Sequence, residues 1–194
     1  MKLIKSILVV TIVSFTIPIF AQENQQEYNE QMKLWTEYMS PGNMHKQMAK
    51  LAGNWKTTNK MWMNPNSEPS ITEGNAVIET LLGGRYFKTT HTGNFMGMPF
   101  EGFSIEAYDN ALQEFSSIWI DNFGTGMMYL RGKYDEPTKT ITYVGASVDP
   151  IQKKEMKVKE VFKFVDDNNF SMEMYMLNGD KEVKTMEINY TRSM

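Results

Sequence analysis

The sequence predicts an all-β protein, a closed antiparallel β-barrel of about ten strands preceded by one or two short helices. Three observations support this fold class. From Trp55 onward, segments rich in Thr, Val, Ile, Tyr and Phe recur about every ten to fifteen residues. Clusters of Gly, Asn, Asp and Pro separate these segments, as in the turns of a meander. So many strands in one domain would leave two open edges unless the sheet closes into a barrel.

The first residues resemble an export signal. Lys2 and Lys5 precede an apolar run over 6–20, and Ala21 is a small residue suited to cleavage. The run is about fifteen residues long, shorter than the roughly 20 that span a bilayer. We therefore expect a signal peptide at 1–21, export to the periplasm or the medium, and no membrane insertion after cleavage. The chain has no cysteine, which excludes a lipid-bearing N-terminal cysteine, disulfides and a cysteine nucleophile.

Residues 22–50 predict an N-terminal helical segment that packs on the barrel, which itself occupies 51–194. Apolar residues recur at spacings of three and four, and Pro41-Gly42 breaks the pattern into two helices. The second helix covers 43–51 and stops before a glycine. We expect His45 on the surface of that helix.

The turn residues divide the remainder into ten strands. Their predicted spans are 54–63, 71–82, 85–94, 100–108, 113–121, 127–134, 140–147, 157–165, 170–177 and 184–191.

Period-two alternation assigns side chains of the third strand to faces. Arg85, Phe87 and His91 share one face, predicted to be the interior, and Lys88 lies on the opposite face, which we expect to be wet.

The next two strands follow the same alternation. In the fourth, Glu101 and Phe103 belong to the more apolar set, which we predict to face inward. In the fifth, Trp119 and Asp121 share a face, but the pattern leaves its direction open.

A series of motifs follows one order along the chain, beginning with Gly53-Asn54-Trp55 at the start of the first strand. The others are Leu82-Gly83-Gly84-Arg85-Tyr86, Met96-Gly97-Met98-Pro99-Phe100-Glu101-Gly102, Tyr108-Asp109, Trp119-Ile120-Asp121, Gly124-Thr125-Gly126 and Met186-Glu187-Ile188 before Tyr190-Thr191-Arg192. From about His45 to Arg192 the chain resembles the bacterial lipocalin-like family called domain of unknown function 1579. The resemblance implies a calycin-type barrel and no established reaction, because a barrel shared by transporters and enzymes does not decide between them.

The charge balance argues against nucleic acid as a partner. The chain has 20 Lys and Arg residues and 23 Asp and Glu residues, with a net charge of −3. No basic block is available to attract a phosphate backbone.

The leading hypothesis is an exported barrel that binds a small hydrophobic or amphipathic molecule in its interior. An inward Arg85 paired with the carboxylate of Glu101 or Asp121 would orient the ligand. The same pair also suits a structural role that closes one end of the barrel. The predicted ligand-binding residues are Arg85, Phe87, His91, Glu101, Phe103, Trp119, Asp121, Met172 and Met174.

Two other functional classes stay open. One is a small-molecule hydrolase or isomerase in which His91 acts with Glu101 or Asp121. The other is a structural or interaction module with a solid barrel. No cofactor is expected, although His91 suits haem iron and the paired methionines of several strands suit copper(I).

Overall fold

The structure is a computed structural model that describes residues 19–193, with side chains described from residue 25 onward. The predicted signal segment, 1–21, lies outside the described residues except for its last three. The chain divides into two compact units, 1–37 and 38–194. The first contains most of helix α1, Ile19–Met39. No helix within 19–193 has the length and apolar character needed to cross a membrane.

The second unit is a closed barrel of ten antiparallel strands, as the sequence predicts. Each strand pairs with its neighbours in sequence, and β1 pairs with β10 to close the sheet. The barrel has two strands more than the eight of lipocalins. The strands are β1 Gly53–Met61, β2 Ser70–Leu81, β3 Tyr86–Phe95, β4 Met98–Asp109, β5 Glu114–Asp121, β6 Met128–Asp135, β7 Thr140–Asp149, β8 Lys154–Asp166, β9 Asn169–Asn178 and β10 Lys181–Arg192.

The antiparallel meander gives the barrel two different ends. Helix α2, Asn43–Ala49, leads into β1 and defines what we call the helix end. Met48 of α2 and Leu51 beyond it are 4% exposed and line the interior. The β3–β4 and β5–β6 turns lie at the opposite end, which we call the open end.

The glycine-any-tryptophan motif organises the helix end. Gly53 has a φ of 131°, a conformation that side-chain-bearing residues rarely adopt. Trp55 is 1% exposed, and its indole Nε1 donates to the Leu51 carbonyl at 2.8 Å. The Arg192 guanidinium lies 4.2 Å from the Trp55 ring centroid and donates to the carbonyls of Ala52 and Lys50. The first and last strands are therefore joined by side chains as well as by their ladder.

His45 corrects one expectation. It is 5% exposed rather than on the helix surface, because its Nδ1 accepts a hydrogen bond from the Gly42 backbone at 3.1 Å. Its ring also packs edge-on against Tyr108, with ring centroids 5.7 Å apart.

Within β3 the face assignments hold for Phe87 and His91, and in β4 they fail. Phe87 and His91 are buried inside the barrel. The register pairs His91 with Gly102, and directly paired residues share a face, so the set containing Gly102 points inward. A Cβ at Gly102 would lie 2.6 Å from Trp119 Cζ2, so the indole occupies the space above this glycine. Trp119 of β5 thus faces inward too.

Candidate functional site

The barrel interior holds a cavity of about 290 Å³. The volume is close to the roughly 300 Å³ at which ligand pockets begin, so it suits a small ligand. Its wall is mostly apolar, which favours a hydrophobic ligand body. The apolar lining residues include Met48, Leu51, Ile78, Phe87, Phe162, Phe170, Met172, Met174, Met186 and Ile188.

Two carboxyl groups from opposite sides of the barrel, Glu106 of β4 and Glu160 of β8, line this cavity. Burial raises the pKa of Glu106 to about 7, although hydrogen bonds from the Ser104 and Ser117 hydroxyls offset part of the shift. Burial and the charge of Glu106 raise the pKa of Glu160 to about 8. We call these two residues the carboxyl pair. With these pKa values, Glu160 is mostly protonated and Glu106 about half protonated at pH 7.

One oxygen of the pair has no partner. Glu106 Oε2 is buried and forms no hydrogen bond. A buried polar atom without a partner costs about 1–3 kcal/mol and calls for an explanation. A bound polar group would provide one.

Besides Asp121, three further titratable side chains line the cavity. Burial and the charges of the pair hold the pKa of both Tyr143 and Tyr190 well above 10. Burial lowers the pKa of His91 to about 4. His91 Nε2 lies 3.5 Å from the Tyr190 hydroxyl, and its ring packs edge-on against Trp119 at 5.4 Å. These groups are therefore uncharged at neutral pH and present hydrogen-bonding atoms rather than charges.

Aromatic rings and Asp121 form the part of the wall nearest the open end. Phe100 stacks on Trp119 at 6.3 Å and contacts Phe123 at 5.6 Å. Asp121 Oδ2 accepts from Trp119 Nε1 at 2.7 Å, and Oδ1 accepts from the backbone nitrogens of Phe123 and Gly124. Asp121 therefore fixes the Trp119 ring and the following turn.

The structure distributes the nine predicted ligand-binding residues unevenly. The residues that line the cavity are Phe87, His91, Trp119, Asp121, Met172 and Met174.

The inward placement of Arg85, Glu101 and Phe103 is wrong. Arg85 precedes β3 in an exposed turn at the helix end, where its guanidinium donates to the carbonyls of Leu82 and Met39. Glu101 and Phe103 lie on the outer face of β4, where the Lys88 ammonium sits 5.0 Å from the Phe103 ring centroid. The predicted pairing of Arg85 with Glu101 or Asp121 does not form, and Glu101 cannot act with His91.

Sequence reasoning missed the carboxyl pair, although β8 contains a signal for one member. Lys157, Lys159 and Lys163 alternate with Val158, Glu160 and Phe162. The lysine face must be wet, so the alternation places Glu160 on the apolar face. In β4, the inward position of Glu106 follows from the register with β3, and the sequence does not display that register.

A comparison with protein families identifies one family that matches this chain. The model of the family described as "protein of unknown function (DUF1579)" matches residues 40–192, which include the whole barrel. The chain belongs to the DUF1579 family.

Solved structures similar to this DUF1579 protein show the fold alone. One is the crystal structure of Rv2717c from M. tuberculosis, with a TM-score of 0.59 and 13% sequence identity. The match covers 80% of the DUF1579 chain and 100% of the other. A redesigned β-barrel matches with a TM-score of 0.43 and 12% identity over 79% of this chain and 100% of its own. Comparison of the DUF1579 chain with curated proteins finds no match.

Proposed function

We propose that this DUF1579 barrel binds a small hydrophobic or amphipathic molecule in its interior. The observation that carries the proposal is the cavity of about 290 Å³, with apolar walls and a buried polar group that has no partner. Binding sites typically combine an apolar lining with a few convergent polar groups that fix orientation. The cavity argues against the alternative hypothesis of a structural module with a solid barrel.

The ligand's orientation follows from the distribution of polar atoms. The wall residues Phe87, Met172 and Met174 contact the apolar body, while the carboxyl pair takes the polar end. Asp121 already accepts hydrogen bonds from Trp119 Nε1 and from the backbone nitrogens of Phe123 and Gly124, and its role is to hold the Trp119 ring at the cavity wall.

Native mass spectrometry of protein purified from its natural host tests binding, with denaturing extraction to identify the bound molecule. Two variants make the test specific to the interior. Thr72 lines the cavity, so Thr72→Trp fills part of it, whereas neighbouring Ile71 is 60% exposed on the outer face and Ile71→Trp leaves the cavity intact. We expect a stoichiometric small molecule in the wild type and in Ile71→Trp but not in Thr72→Trp. Equal occupancy in both variants would contradict an interior site.

We also propose that the protein is exported after cleavage behind Ala21. The basic start and short apolar run over 6–20 support this location. The intact mass of protein from the natural host tests it. A chain beginning at Gln22 and recovered outside the cytoplasm is expected, whereas a full-length cytoplasmic chain would refute export.

A further inference from the structure

The charges inside the barrel are unbalanced. The titratable residues that line the cavity are His91, Glu106, Asp121, Tyr143, Glu160 and Tyr190. Over the described part of the chain, no lysine or arginine is among the lining residues. The interior therefore offers carboxyl groups and no counter-charge.

The neighbouring groups cannot supply the missing positive charge. His91 is the one basic side chain among the lining residues described, and it is packed between the rings of Trp119 and Tyr190. Burial keeps the pKa of His91 at about 4, so the ring is neutral at physiological pH. An ionised Glu106 or Glu160 would thus be a buried charge without a partner, which is expensive in a protein interior.

The same arrangement selects against anionic ligands. Above the pKa values of the pair, Glu106 and Glu160 are ionised and would repel a fatty-acid carboxylate, which no lysine or arginine among the described lining residues could receive. A protonated amine would instead receive hydrogen bonds and charge from both carboxylates. Glu106 Oε2, which is buried without a partner, is available as one acceptor.

We propose that Glu106 and Glu160 bind the cationic head of a small hydrophobic amine whose apolar part lies against the cavity wall. The proposal rests on the interior site of the proposed function and names its ligand class. The apolar wall formed by residues such as Phe87 and Met172 receives the hydrocarbon portion.

Binding of the cation is coupled to proton release. Without ligand, the pKa of Glu106 is about 7 and that of Glu160 about 8, so the carboxyl pair holds protons near neutral pH. A cation favours the ionised carboxylates and expels those protons. Tyr143 and Tyr190, whose pKa values lie well above 10, stay neutral, as does His91 above pH 5. Affinity for an amine should therefore rise from pH 6 to pH 8.

Matched eight-carbon probes separate the contribution of the ligand's head group to binding from that of its alkyl tail. Octylamine, octan-1-ol and octanoate share an alkyl tail and differ in charge, and isothermal titration calorimetry measures their affinity for the full chain. At pH 8 we expect octylamine to bind at least 10-fold more tightly than octan-1-ol, and octanoate more weakly than both. Repetition at pH 8 in two buffers of different ionisation enthalpy should show release of about 0.6 proton with octylamine alone, because pKa values of about 7 and about 8 leave about 0.1 proton on Glu106 and about 0.5 on Glu160 at this pH.

Variants assign the preference to the carboxyl pair. The double variant Glu106→Gln/Glu160→Gln should retain octan-1-ol binding and lose the octylamine preference, whereas Glu101→Gln on the outer face should retain it. Equal binding of octylamine and octan-1-ol by the wild type would overturn the amine proposal and leave the interior binding site standing. No binding of any probe would overturn both.

Discussion

The carboxyl pair should make the protein less stable as pH rises. The pKa of Glu106 increases from 4.5 in the unfolded chain to about 7 in the fold, and that of Glu160 from 4.5 to about 8. A carboxyl group with a raised folded-state pKa gives full stability below pH 4.5, and that stability is lost as pH rises through the folded-state value. The free energy of unfolding therefore declines between pH 5.5 and pH 9.

The size of this decline follows from the two shifts. At about 1.36 kcal/mol per pKa unit, ionisation between pH 5.5 and pH 9 removes about 2 kcal/mol through Glu106 and about 3 kcal/mol through Glu160. The value for Glu160 already includes repulsion from an ionised Glu106, so the losses add to about 5 kcal/mol.

The double variant Glu106→Gln/Glu160→Gln removes both ionisations and nearly preserves side-chain shape. Urea unfolding followed by tryptophan fluorescence at pH 5.5, 7, 8 and 9 measures the difference. Between pH 5.5 and pH 9, the free energy of unfolding of the variant should rise by about 5 kcal/mol relative to that of the wild type. For an m-value near 2 kcal/mol/M, this is a relative shift of about 2.5 M in the urea midpoint. Glu101→Gln, on the outer face of the same strand, should follow the wild type. A gain below about 1 kcal/mol would show that the pair is not buried as described.

Three other changes test the surroundings of the cavity. The pKa of His91 is about 4 in the folded protein and 6.5 in the unfolded chain, so its contribution to stability is present above pH 6.5 and is lost as the pH falls. The variant His91→Gln should therefore lose at least about 1 kcal/mol less unfolding free energy than the wild type between pH 6.5 and pH 4.5. Gly102→Ala should cost about 1–3 kcal/mol and shift the Trp119 emission, because the new methyl group meets the indole. Arg192→Ala should lower the melting temperature by about 4–8 °C through loss of about 2 kcal/mol, since it removes the Trp55 contact and carbonyl hydrogen bonds. The corresponding expectation would be contradicted if His91→Gln left the loss of stability on acidification unchanged, if Gly102→Ala left the emission spectrum unchanged, or if Arg192→Ala left the melting temperature unchanged.

The strands were predictable from sequence because turn chemistry and β-branched segments alternate clearly. The turns at 109–110 and 178–180, for example, carry Asp, Asn and Gly between strands that follow a period of two. Closure also follows from the sequence, because ten strands with open edges would be exposed to pairing with other chains.

The direction of β4 was not predictable from its own composition. The rule that the more apolar face is buried assumes an apolar interior, and here the inward set includes Ser104 and Glu106. The outward Phe103 is instead covered by Lys88. Only the register with β3, which pairs His91 with Gly102, decides the face.

Arg85 illustrates a different limit. Its place in the period-two pattern matches Phe87 and His91, but the strand begins one residue later, at Tyr86. A residue outside the ladder is free to turn toward nearby carbonyls, and the guanidinium binds those of Leu82 and Met39. A one-residue error in a strand boundary thus placed a positive charge in the predicted interior that the structure places outside it.

The carboxyl pair lowers the stability of the fold at neutral pH. A pair with a structural role would stabilise the barrel, so this loss of stability distinguishes a ligand-binding role from a structural one. Met has a volume and length near those of Glu, and replacing buried charged groups by apolar residues of similar size often stabilises a protein by about 1–4 kcal/mol. Glu160→Met should therefore raise the unfolding free energy at pH 8 while reducing the preference for octylamine over octan-1-ol. Glu101→Met, on the outer face, should change stability by less than about 0.5 kcal/mol and leave the preference intact. If Glu160→Met instead lost more than about 1 kcal/mol, the pair would be part of the barrel's own stabilisation, and the argument from its cost would fail.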